Sequence, residues 1–159
     1  MEKTVEFTKM HSSGNDFVVV REEDSRRSWA KLAKSMCDRR FGVGADGVLV
    51  VQPSSKADFK VRVINSDGSE AEVCGNGLIC MGRYAIDDGI VEASRYDVTV
   101  ETKAGVKKIE LLKQGGKVKQ VRVSIGRPRF KPEEIPALVK AEEVDDKTKP
   151  VLDYPVFVG

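Results

Sequence analysis

The sequence is short of the residues that staple or wire a protein together. Its 159 residues include three cysteines, Cys37, Cys74 and Cys80. An odd, small number with no apolar leader does not make a disulfide framework. There is one histidine, His11, and the two nearest cysteines are Cys74 and Cys80. That spacing is not the one zinc sites use, so no metal is expected. Long apolar runs are missing too, which excludes a membrane-spanning helix. The opening Met1-Glu2-Lys3-Thr4-Val5-Glu6 lacks the apolar stretch of a signal peptide, so a cytoplasmic location is the expectation. Charge of one sign is lacking as well. Lys plus Arg is 27, Asp plus Glu is 25, and the net charge is +2, which leaves no footprint for nucleic acid. Internal repeats and low-complexity segments are absent.

What is present is enough for one globular domain with a core. Hydrophobic residues make up 40% and charged residues 33%, ordinary for a folded soluble chain. Residues 5–10 alternate polar and apolar and read as a strand. Residues 17–20 form a second short apolar run, reached through the turn-like Ser12-Ser13-Gly14-Asn15-Asp16. Over 27–39 the apolar positions are Trp29, Leu32, Ala33, Met36 and Cys37, the spacing of an amphipathic helix. Residues 48–51 and 59–64 are rich in β-branched side chains and read as strands. Residues 75–86 carry one charge, Arg83. A helix apolar nearly all round is enclosed by other elements rather than laid on a surface. Residues 98–101, 107–112 and 118–125 follow as strands at hairpin spacing, with turns at Ala104-Gly105 and Gly115-Gly116.

After Ile125 the character changes. Residues 132–136 read as a loop, 141–149 as a charged exposed stretch, and 154–158 as a terminal apolar strand. An apolar strand with nothing to pair with is a liability, and it suggests a chain that continues. The expected organisation is a domain over 1–125, then 126–159 as a loop and the start of a connection to a second domain.

The stretch richest in possible chemistry runs from Asn65 to Gly77. It joins a strand to the enclosed helix and places Cys74 at the helix start. A Cys there meets the positive end of the dipole and unpaired backbone N–H groups, both of which favour thiolate. Gly75 and Gly77 let a ligand approach the backbone closely, and the same N–H groups can hold a carboxylate. These features suit proton abstraction next to a carboxylate better than acyl transfer, which calls for an activating His. The position also suits an inert small residue, and spacing alone leaves both readings open. Gly42-Val43-Gly44-Ala45-Asp46-Gly47 matches the dinucleotide fingerprint in letters only. A helix precedes it and a strand follows, the reverse of the required context, so it reads as a helix-to-strand turn. Asn15 reads either as a turn residue or as a ligand contact.

Three segments in order resemble one family. They are Lys9-Met10-His11-x-x-Gly14-Asn15-Asp16-Phe17, then Cys37-Asp38-Arg39-Arg40-Phe41-Gly42-Val43-Gly44-Ala45-Asp46-Gly47, then Asn65-Ser66-Asp67-Gly68-Ser69-Glu70-Ala71-Glu72-x-Cys74-Gly75-Asn76-Gly77. The family is diaminopimelate epimerase. The resemblance implies an α/β (α+β) fold, a curved mixed or antiparallel sheet or barrel wrapped round a central helix. It implies an isomerase that interconverts LL- and meso-diaminopimelate for lysine and peptidoglycan synthesis, with no cofactor, neither pyridoxal phosphate nor metal. Two cysteines would face each other across the substrate α-carbon, one removing the proton as thiolate and the other returning one as thiol. Cys74 matches one of them, Asn15 and Asn65 match substrate-binding positions, and Gly75 and Asn76 match the carboxylate cradle.

The implied partners are the small-molecule substrate, a C-terminal domain carrying the second cysteine, and a second copy in a homodimer. Neither Cys37 nor Cys80 matches the second thiol, so this chain would supply half of an active site and turn over poorly alone. Two departures stand out. Ser12-Ser13 replaces the family's usual Gly-Leu or Gly-Ala, and Ile79 replaces a frequent Arg before Cys80. The Ser12-Ser13 change keeps a racemase of another amino acid in the same superfamily in view, and a ligand-binding domain without catalysis is the alternative from a different class.

Overall fold

Two segments, 17–20 and 48–51, are apolar at every position. A strand can be so only if both its faces are covered. In the computed structural model, which describes residues 4–22 and 27–130, they form the centres of β2 (Asn15–Arg21) and β3 (Gly47–Gln52). The two pair in parallel. Parallel neighbours need a crossover, and α1 (Trp29–Cys37) supplies it. Val18, Val20, Val48, Val50 and Ile64 pack with Trp29, Ala33 and Cys37 of α1. The alternate residues Phe17, Val19, Leu49 and Val51 turn to the opposite face and pack with a second helix. That helix is α2 (Gly75–Asp87), and it crosses over between the parallel pair β4 (Phe59–Asn65) and β6 (Asp97–Thr102).

The remaining strands are β1 (Thr8–Ser12), β5 (Glu70–Ala71), β7 (Gly105–Gln114) and β8 (Lys117–Val123). The sheet runs β1-β2-β3-β4-β6-β7-β8, with β5 on the side of β4. Beyond β4 one face is covered, and burial alternates along β6 and β7, as it must in a half-solvated sheet. The sheet curls so that α2 touches β1, β6, β7 and β8. The result is a mixed half-barrel round an enclosed helix, the fold expected. Leu78, Cys80, Met81, Tyr84 and Ala85 of α2 are buried, while its one early charge, Arg83, pairs outward with Asp87 at 2.6 Å.

Some details differ from the sequence reading. The first strand is shifted to Thr8–Ser12 because a two-residue turn, Ser13-Gly14, pairs Ser12 with Asn15. Both turn residues have positive φ, 53° and 82°, the mirror-image turn that matches the twist of a hairpin. Asn15 is therefore a strand residue. The later turn falls on Lys103-Ala104, and Gly105 closes it in the left-handed conformation (φ 90°) as the first residue of β7. The short β5 was not expected. The anticipated loop at 132–136, the charged stretch at 141–149 and the strand at 154–158 lie outside the described residues. The chain divides into two compact units, Met1–Ile125 and Gly126–Gly159, and the fold described is that of the first. Among the described residues no helix is long and apolar enough to cross a membrane.

Candidate active site

The start of β2, the start of β3, the end of β4 and the start of α2 meet at one end of the sheet, because Phe17 pairs with Gly47 and Gly47 with Asn65. Cys74 is the N-cap of α2, with extended backbone, and its sulfur accepts the N–H of Gly77 at 3.4 Å. A thiolate accepts such a bond more strongly than a thiol. The Cys74 carbonyl accepts the N–H of Leu78 at 2.9 Å. The N–H groups of Gly75 and Asn76 find no acceptor among the described residues, leaving two donors at the open end of the helix. Gly75 adds access: a Cβ there would have one neighbour within 4 Å, Ile125 at 3.7 Å.

Asn15 stands beside this end. Its side-chain oxygen lies 3.9 Å from the Cys74 sulfur, placed to accept from a thiol there, and 3.4 Å from the Asn76 amide nitrogen. Cys74, Asn15, Gly75 and Asn76 are thus brought together. No hydrogen bond joins Asn65 to them among the described residues. It sits exposed at the end of β4, donates its amide to Ser69 Oγ at 2.9 Å, and accepts the Gly68 N–H on its carbonyl. His11 lies exposed on β1, and no hydrogen bond joins it to Cys74.

Behind Asn15 lies a charged cluster. The Asn15 amide N–H₂ donates to Asp46 Oδ2 at 2.7 Å, and the Asp16 backbone N–H donates to the same oxygen at 3.1 Å. Arg39 grips both oxygens of Asp16, at 3.1 and 2.7 Å, and reaches Asp46 Oδ1 at 2.8 Å. Lys9 pairs with Asp16 at 2.8 Å and also reaches the Gly44 carbonyl. The loop that delivers Arg39 and Asp46 is folded back on α1. Gly42 N–H bonds Asp38 O, Gly44 N–H bonds Met36 O, and Ala45 N–H bonds Cys37 O, at 3.0, 2.9 and 3.2 Å. Gly42 is needed there, since a Cβ would stand 2.1 Å from the Ser35 carbonyl oxygen.

Comparison with known proteins now decides the family. The profile described as diaminopimelate epimerase matches residues 7–131. The chain belongs to the diaminopimelate epimerase family. It is 49% identical over 145 residues to the diaminopimelate epimerase of Carboxydothermus hydrogenoformans, covering 89% of this chain and 51% of that protein. It is 50% identical over 145 residues to the diaminopimelate epimerase of Caldanaerobacter subterraneus subsp. tengcongensis, covering 91% and 51%. The chain therefore spans about half the length of the curated relatives it matches. Its fold is also that of a probable proline racemase from Agrobacterium radiobacter, solved with bound carbonate. That likeness has a TM-score of 0.63 at 19% identity, over 76% of this chain and 41% of that one.

Sequence reasoning missed the roles of Lys9, Asp16, Arg39 and Asp46. All four lie within the motifs shared with the diaminopimelate epimerase family, but their mutual contact depends on β2 pairing with β3. Arg39 first, then Lys9, holds the Asp16 carboxyl well below the usual carboxylate range, and the Asn15 amide does most to lower that of Asp46. Asp16 thus has a folded pKa below its unfolded value of about 3.9, so its contribution to stability is full above that pH and is lost as pH falls. The Tm of the unmodified chain is expected to drop more steeply below about pH 4 than that of Asp16→Asn. Parallel slopes would dismiss the contribution. Because Arg39 is 58% exposed, solvent screens part of it.

The other two thiols are sealed in the core. Burial pushes Cys80 up to about 11 and raises Cys37 as well. Under native conditions iodoacetamide is expected to add once, at Cys74, and on all three cysteines after unfolding. Native labelling of Cys37 or Cys80, read by peptide mass spectrometry, would contradict this burial. Among the described residues no group of His, Cys, Asp and Glu is arranged to hold a metal ion.

Proposed function

We propose that this chain supplies one half of the active site of an enzyme that epimerises LL-diaminopimelate to meso-diaminopimelate, with Cys74 as one of two opposed catalytic thiols. The observation that carries the proposal is the coincidence of the Cys74 sulfur with the N–H donors of Gly75 and Asn76, which have no acceptor among the described residues. A thiolate at Cys74 removes the proton from the substrate α-carbon. Charge then spreads onto the neighbouring carboxylate, where helix N-terminal donors stabilise it most. Asn15 and Asn76 orient the substrate beside the sulfur, and Asn65 reaches it from the end of β4.

Inversion needs a proton from the opposite face. Cys37 and Cys80 are both buried in the core, so the second thiol comes from a C-terminal domain to which 126–159 begins the connection. A cytoplasmic setting, where thiols stay reduced, suits a site that needs one thiolate and one thiol. No cofactor is required, because the two thiols and the helix donors together supply base, acid and charge stabilisation.

The test is conversion of LL-diaminopimelate, followed by chiral chromatography. It compares this chain alone with the chain joined to the C-terminal half of the Carboxydothermus hydrogenoformans relative. Conversion by the joined protein only is expected. Inversion of a different amino acid in its place, or of none, would remove diaminopimelate as the substrate.

A further inference from the structure

Asn15 is a carboxamide, and either of its ends could face Cys74. Asp46 removes that freedom. A carboxylate only accepts hydrogen bonds, so the end of Asn15 that lies 2.7 Å from Asp46 Oδ2 is the N–H₂ end. The oxygen must then face Cys74 and Asn76, at 3.9 and 3.4 Å. Asp46 is itself fixed from three sides. Arg39 holds Oδ1, the Asp16 N–H holds Oδ2, and the Asp46 carbonyl accepts the Ser66 N–H at 3.2 Å.

We propose that Asp46 is a positioning residue that locks the Asn15 amide with its oxygen toward the Cys74 sulfur, so that the resting thiol has an acceptor for its proton. This rests on Cys74 being the reacting thiol, as proposed above. Asp46 makes no hydrogen bond to the sulfur, and it acts only through Asn15. An oxygen facing the sulfur favours S–H over S⁻, and an N–H₂ facing it would do the reverse.

A double-mutant cycle on the 159-residue chain tests this, reading the pH midpoint of Cys74 alkylation by iodoacetamide. Asp46→Asn frees the amide to turn, and the midpoint is expected to fall by roughly half to one pH unit. Asn15→Ala removes the acceptor and is expected to lower it similarly. The double variant is expected to match Asn15→Ala, since Asp46 has then lost its means of acting. A fall caused by Asp46→Asn that persists in the Asn15→Ala background means that Asp46 acts by charge alone, and it overturns the proposal. So does no shift in Asp46→Asn.

Should the variants fail to fold, NMR of the unmodified chain decides. The Asn15 side-chain amide protons are expected to shift as Asp46 is protonated in acid, and unmoved signals would end the idea. The cycle reads the thiol and needs no turnover. A complete enzyme that leaves diaminopimelate untouched would therefore sink the function while leaving this result in place.

Discussion

Cys74→Ala in the joined, two-domain protein is expected to lower the rate of diaminopimelate epimerisation by roughly 10³-fold or more, the scale of a lost general base. Cys74→Ser is expected to be nearly as inactive, because a hydroxyl is far too weak an acid to stand as an anion there. Yet Ser is a better helix N-cap than most residues, so Cys74→Ser should leave α2 at least as stable as before. Activity and stability then separate at a single position. Cys37→Ala is expected to behave in the opposite way. It empties space in the core cluster beneath α1, costing about 1–2 kcal/mol, and leaves the chemistry intact. The check is to pair the epimerisation rate with a urea midpoint for each variant. Equal loss of activity in Cys74→Ala and Cys37→Ala would contradict the assignment of roles.

Gly82→Val is expected to destabilise the domain by about 3 kcal/mol. Gly82 lies in the middle of α2, where an exposed Gly would gain about 1 kcal/mol on replacement by Ala. Here that gain is overrun. A Cβ on residue 82 would stand 2.7 Å from Ile109 Cγ2, 2.8 Å from Val121 Cγ1 and 3.3 Å from Leu111 Cδ2. Ile109 and Val121 are β-branched and have few rotamers with which to retreat. Even Gly82→Ala should therefore cost stability, and Val more. Relief would come from sliding α2 away from β7 and β8, which would carry Cys74 and the donors of Gly75 and Asn76 with it. Gly82→Val is accordingly expected to weaken substrate turnover too, although residue 82 is two helical turns from the sulfur. A Tm for Gly82→Ala equal to or above that of the unmodified chain would show that α2 is packed more loosely than described.

The enclosed helix was legible in the sequence because residues 75–86 leave no polar face for water. The two apolar runs at 17–20 and 48–51 were legible as strands, and their lack of alternation reflects cover on both sides. Which strands become neighbours was not legible. Hydrophobic period says how a strand is buried but not against what, so the parallel pairing of β2 with β3 stayed hidden. With it stayed hidden the cluster of Lys9, Asp16, Arg39 and Asp46, each of them inside a quoted motif. β5 escaped because Glu70-Ala71 has no strand pattern of its own and pairs only because Val63 and Ile64 offer it an edge. Cys74 and Gly75 were singled out from general physics, since a Gly-flanked Cys at a helix start is legible without a fold, whereas Asn76 came only with the family resemblance. The approach of Asn15 to them needed the curl of the sheet.

The most direct test of the central claim is the isotope pattern of early turnover. The joined protein is incubated with LL-diaminopimelate in D₂O, and the α-protons of substrate and product are followed by NMR before equilibrium. If Cys74 and an opposed thiol share the work, the proton taken from one face does not return on the other. The meso product is then expected to carry deuterium while the remaining LL substrate still carries protium, and Cys74→Ala is expected to abolish the exchange. Deuterium entering substrate and product equally from the start would mean a single base serving both faces, and would contradict the account.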